Sequence, residues 1–148
     1  MKENRGKREV AKEIYFEDIK VGDAMPSLVK DPVEKVQLVK YAGASGDFNP
    51  LHTDPEVGKA VGLGGVIAQG MLVMGFVGQA ITDWIPKRYL RKFGVRFAGM
   101  TRPGDVVTVT GVVKEKKEGK RIICDVEAKN QQGILLVSGS FEAELPGR

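Results

Sequence analysis

A chain of 148 residues, 42% hydrophobic and 28% charged with a formal net charge of +4, has room for one core and the composition of an ordinary globular domain. That balance excludes disorder, a collagen-like repeat and a disulfide scaffold. With one cysteine and one histidine there is no Cys/His set for a structural metal, and the lone thiol of Cys124 fits a reducing compartment.

Residues 1–12 carry Lys2, Arg5, Lys7, Arg8 and Lys12 against Glu3 and Glu9, so most of the excess charge sits in what reads as a flexible basic tail, with a single domain over 13–148. The charged start has no apolar run of the kind a secretory signal needs, and the expected address is the cytoplasm. The rest of the chain shows no basic stripe interleaved with aromatics, so a nucleic-acid partner is not expected. The apolar run Val66 to Ile81 is broken by Gln69 and Gln79 and is shorter than the roughly 20 residues of a bilayer span. It is expected as a core helix, with no membrane span.

In chain order, Ile14 to Val21 carries aromatic and β-branched residues before Gly22-Asp23 and reads as an extended opening segment. Asp31-Pro32-Val33-Glu34 has the chemistry of a helix start, with Asp31 as cap, Pro32 in the first position and Glu34 reaching back. Val36, Val39 and Ala42 then recur at helical spacing, and this helix delivers the chain to Ser45. Thr53-Asp54-Pro55-Glu56 repeats the start chemistry for a short helix running toward Gly62, and Gly62 to Gly65 follows as a flexible joint.

From Ala68 to Trp84 almost every residue is apolar or small, the pattern of a helix enclosed on every side, and Pro86 stops it. Val106–Val113, Arg121–Asn130 and Ile134–Glu144 are strand-like runs separated by Glu118-Gly119 and Gln132-Gly133. In the middle run Ile122, Cys124, Val126 and Ala128 share one face. Helices first and strands later, with one helix too apolar for a surface, imply an α+β protein whose antiparallel sheet curls around that helix.

The one histidine lies in SGDFNPLH, Ser45 to His52. Five residues apart on a regular helix or strand, Asp47 and His52 would face different ways. Pro50 forbids regular structure between them, so the chain turns and the two side chains can converge. Local chemistry alone favours a plain turn, with Asp47 and Asn49 bonding their own backbone and His52 a solvated loop residue. Gly46, Gly62, Gly64, Gly65 and Gly70 set this turn among positions where backbone can approach a ligand closely. Other motifs fail. Gly62-Leu63-Gly64 has Ile67 at the third glycine position of a dinucleotide fingerprint, and Gly43-Ala44-Ser45-Gly46 runs into Asp47 where a nucleophile elbow needs glycine.

SGDFNPLHTDP, followed by AQGMLVMG, resembles the hydratase signature of the MaoC-like, R-specific enoyl-CoA hydratases and the related 3-hydroxyacyl-ACP dehydratases, and the likeness runs from about Tyr15 to Leu145. GVRFAGMTRPGDVVTVTG is similar to that family's later strand segment. The resemblance implies a hot-dog fold, an antiparallel sheet wrapped around a long central helix, whose subunits pair through a continuous sheet as a homodimer or higher homo-oligomer, or as a heterodimer with a related subunit. It implies hydration of trans-2-enoyl thioesters carried on CoA or acyl carrier protein, or the reverse dehydration, with no cofactor and no metal. By the same likeness Asp47 and His52 are the catalytic pair, Asn49 braces the loop and Gly70 supplies a backbone N–H to the thioester oxygen. A non-catalytic acyl-thioester-binding subunit and a hot-dog thioesterase are the alternatives. Where the family usually has His-Gly-Met, this chain has Gln69-Gly70-Met71.

Overall fold

Residues 11–148 are described by the computed structural model. Strands β1 (Ala24–Val29), β2 (Leu90–Phe97), β3 (Thr108–Lys117), β4 (Arg121–Lys129) and β5 (Leu135–Glu144) form one antiparallel sheet in the order β1-β3-β4-β5-β2. Helices α1 (Lys35–Ser45), α2 (Pro55–Ala60) and α3 (Gly70–Trp84) lie between β1 and β2 in the chain. The tail expected over 1–12 falls, apart from Ala11 and Lys12, outside the described residues.

The C-terminal meander follows from alternation. Ile122, Cys124, Val126 and Ala128 of β4 are at most 3% exposed, and Gly119 (φ 75°) and Gly133 (φ 76°) close the hairpins in the left-handed region that glycine enters without strain. α3 packs against all five strands and buries Leu72, Val73, Phe76, Val77, Ala80 and Ile81. This is the hot-dog arrangement. Gly139 of β5 is required by close approach, since a Cβ there would stand 2.1 Å from the carbonyl oxygen of Gly94 on β2.

Several expectations are corrected. Ile14 to Val21 is not extended throughout: Phe16–Asp18 forms one 3₁₀ turn between extended Tyr15 and Ile19, where Lys116 Nζ donates to the carbonyls of Phe16 and Ile19, each at 2.7 Å, and Phe16 N–H donates to Pro146. The first strand starts later, at Ala24, and tolerates Pro26 because it is an edge strand with an irregular register between Met25 and Leu28. Asp31 does not cap α1. The cap residue is Glu34, because Val33 is first used in tertiary pairing, its N–H donating to Asp105 and its carbonyl accepting from Gly104. Nor do Val36 and Val39 face the core: they are 50% and 48% exposed, and α1 buries Leu38 and Ala42 instead.

α3 is not enclosed on every side either, since Met71 is 56% exposed. The Gly62–Gly65 tract is a defined turn, with positive φ at Gly62, Gly64 and Gly65 and a Leu63 N–H to Gly58 carbonyl bond of 2.8 Å. Among the described residues no helix is long and apolar enough to cross a membrane.

Candidate active site

The turn after α1 is built by short-range bonds. Gly46 ends the helix at φ 76° with its N–H on the Ala42 carbonyl. Ser45 Oγ donates to Tyr41 O at 2.7 Å and accepts the Asp47 N–H at 3.2 Å. Asp47 Oδ1 accepts the Asn49 N–H at 3.3 Å, and Asn49 Oδ1 accepts the Leu51 N–H at 3.1 Å. These are the local bonds that Asp and Asn make in turns. Pro50–His52 is a single 3₁₀ turn capped by Asn49, and Asp54 then caps α2 through the Glu56 N–H. Asn49 is thus placed inside the loop backbone.

This folding brings Asp47 and His52 together. His52 Nδ1 lies 2.7 Å from the Ile67 carbonyl oxygen. A carbonyl only accepts, so Nδ1 carries the hydrogen and, in the neutral ring, Nε2 presents a lone pair. That Nε2 stands 3.5 Å from Asp47 Oδ2. Two acceptors at that separation do not bond to each other, but a water lying beside both can donate to either. The histidine side chain is 12% exposed and the aspartate 45%, so the ring is held by protein and the carboxylate faces outward.

The same Ile67 whose carbonyl orients the ring gives its N–H to Leu51 at 3.1 Å, and Ala68 N–H donates to Thr101 at 2.7 Å. Three residues beyond Ile67, Gly70 opens α3, where the first four backbone N–H groups have no partner within the helix and the dipole is positive. The Phe97 ring of β2 lies over Gly70, so close that a Cβ there would be 3.1 Å from the ring. The backbone carbonyl of Ile67 and the ring of Phe97 escape a reading by residue type, the first because it is backbone and the second because its neighbour is 27 positions away. Among the surface arginines, Arg88 pairs with Glu13, Arg91 with Glu144 at 3.2 Å, and Arg102 donates to the Leu63 carbonyl. Trp84 packs edge-on to Phe141, with ring centroids 6.4 Å apart. It lines a cleft of about 290 Å³ with Ile14 and Pro26, at the end of α3 opposite Gly70. Among the described residues no three His, Cys, Asp or Glu side chains cluster as a metal site.

A sheet wrapped on a central helix, with an aspartate and a histidine gathered near the head of that helix, defines a hot-dog protein with a polar site at the start of the helix. The chain belongs to the MaoC-like family, whose MaoC like domain matches residues 18–133. It is 32% identical over 142 residues to an (R)-specific enoyl-CoA hydratase of Rhodospirillum rubrum, covering 90% of this chain and 93% of that one. It is 34% identical over 111 residues to the enoyl-CoA hydratase ChsH3 of Mycobacterium tuberculosis; the match takes in 73% of this chain but spans only 37% of the relative. The unliganded R-hydratase PhaJ1 of Pseudomonas aeruginosa superposes with a TM-score of 0.81 at 26% identity, covering 93% of this chain and 89% of that one.

Proposed function

We propose that this protein is a hydro-lyase that adds water to trans-2-enoyl thioesters with R specificity, or removes it in reverse, using Asp47 and His52 on one water and the Gly70 N–H on the thioester oxygen. The observation that carries the reading is the 3.5 Å gap between His52 Nε2 and Asp47 Oδ2, with the ring fixed by Ile67 so that its free lone pair faces the carboxylate.

In hydration the water oxygen bonds to Cβ as the pair takes its proton. The electrons of the double bond move toward Cα and the thioester oxygen, and a proton is delivered to Cα. An acid/base group positioned for this contributes about 10²–10⁴-fold, and a backbone donor on the developing oxyanion about 10²–10³-fold. Asn49 enters by holding the turn on which both side chains ride.

Acyl-CoA is the substrate class we favour, from the relatives' activity, with acyl carrier protein as the other carrier. A cytoplasmic setting fits the free thiol of buried Cys124. Pairing with a second copy is supported by β2 at the edge of the sheet and by Phe97, Met71 and Met100, each 50–56% exposed near the site. A chain-length series of enoyl thioesters on both carriers, followed by loss of enoyl absorbance, tests the reading. Thiol release in place of hydration would mark a thioesterase, and binding without turnover an acyl-binding subunit.

A further inference from the structure

Gln69 is 1% exposed and is the residue on which α3 starts, yet its side chain makes no cap bond to that helix. It turns instead to α1, where Nε2 donates to the carbonyl of fully buried Leu38 at 3.0 Å across 31 residues of sequence. Because that carbonyl only accepts, the amide orientation is fixed, and Oε1 is left buried without a hydrogen-bond partner among the described residues. An apolar side chain of the same size would fill this space without stranding an acceptor, so the amide is a stability liability at a packed position.

The two ends of this bond identify its use. α1 runs directly into Ser45, Gly46 and Asp47, while the backbone following Gln69 is Gly70. The segment 67–70 is otherwise held by the Ile67 bonds to Leu51 and His52 and the Ala68 bond to Thr101. None of these reaches α1. Among the described residues, the Gln69 amide joins the helix delivering Asp47 to the start of the helix carrying the Gly70 N–H.

We propose that Gln69 is a positioning residue which, acting through the Leu38 carbonyl, sets the Gly70 N–H relative to the Asp47/His52 pair. The inference rests on the hydratase reading of that pair. Gln69 does not touch substrate, so its loss acts on turnover more than on binding, and an error of an ångström in such a site lowers the rate by about 10²-fold.

The test uses the full chain with crotonyl-CoA as probe. Gln69→Leu should lower kcat by about 10–100-fold, leave KM within about threefold, and leave Tm unchanged or higher because the stranded acceptor is gone. Gln69→Glu should be impaired at neutral pH, where a carboxylate cannot donate to Leu38, and should recover relative to wild type as the pH falls and the carboxyl gains a hydrogen to donate. Read per folded molecule, that limb is one a purely structural role would not produce. Gln69→Leu with wild-type kcat, or with kcat lost only in step with the folded fraction, overturns the proposal. Nuclear magnetic resonance separates this failure from failure of the hydratase reading. If the wild type hydrates nothing but the Gly70 amide and His52 ring signals move in Gln69→Leu, the hydratase reading falls and the tether stands; if the signals do not move, the tether falls.

Discussion

His52 Nε2 faces Asp47 Oδ2 across 3.5 Å, two acceptors that do not bond each other and are close enough for one water lying beside them to reach both. Asp47→Asn keeps the shape of the side chain but replaces one carboxylate oxygen with an amide that donates, so it should point a hydrogen at the Nε2 lone pair and lose the base. We expect kcat for crotonyl-CoA to fall by about 10²–10⁴-fold. Because the Asp47 side chain is 45% exposed, Tm should hardly change. Thermal unfolding beside steady-state kinetics checks both halves, and a variant that has lost Tm along with kcat would point to a structural aspartate.

Gly70 and Phe97 should be coupled. A methyl at position 70 meets the Phe97 ring at 3.1 Å, while the helix backbone there accepts alanine readily. Gly70→Ala is expected to fold and to lose about tenfold or more in kcat/KM as ring and helix start separate. Adding Phe97→Leu should restore part of that loss, a non-additivity read from a double-mutant cycle. Equal losses in both backgrounds would show that the ring does not constrain the donor.

Gly58 is the most constrained glycine near the site. A Cβ there would stand 1.9 Å from the Gly65 carbonyl oxygen, and backbone cannot yield as a flexible side chain does. Gly58→Ala should destabilise by about 2 kcal/mol or more, and should impair activity by displacing the turn that leads to Ile67. Calorimetry of Gly58→Ala against Gly43→Ala, where a Cβ meets nothing within 4 Å, isolates the effect.

Burial, and secondarily the charge of Asp125, pushes the Cys124 thiol up from 9.0 to about 12. A raised value in the folded protein means that only the unfolded chain ionises once the pH passes 9.0, so this group's contribution is intact below that pH and is lost as pH rises toward about 12. The native protein should therefore resist thiol alkylation at pH 8, and Cys124→Ala should show a shallower alkaline fall in Tm than wild type. Rapid labelling of the folded chain would contradict the buried thiol.

Much of the architecture was legible because it rests on local chemistry. The alternation of Ile122, Cys124, Val126 and Ala128, the glycines at 119 and 133, and the Asp54-Pro55 cap each act within a few residues. What failed depends on distant partners: Lys116 holding Phe16–Asp18 out of the sheet, Asp105 and Gly104 engaging Val33 before α1 begins, and the exposure of Val36 and Val39. β2 escaped a reading by alternation because Arg91, Lys92 and Arg96 interrupt an edge strand. The convergence of Asp47 and His52 was legible through the Asn-Pro break, and the roles proposed for them and for Asn49 through the family likeness, whereas the Ile67 carbonyl and the Gln69–Leu38 bond needed the fold.

Crotonyl-CoA hydration by the wild-type protein and by His52→Ala bears most directly on the role of the pair. No other histidine exists in the sequence, so His52→Ala removes every imidazole from the protein. We expect hydration to R-3-hydroxybutyryl-CoA by the wild type, and in folded His52→Ala a loss of about 10²–10⁴-fold. Near-native turnover in a folded His52→Ala protein would contradict it.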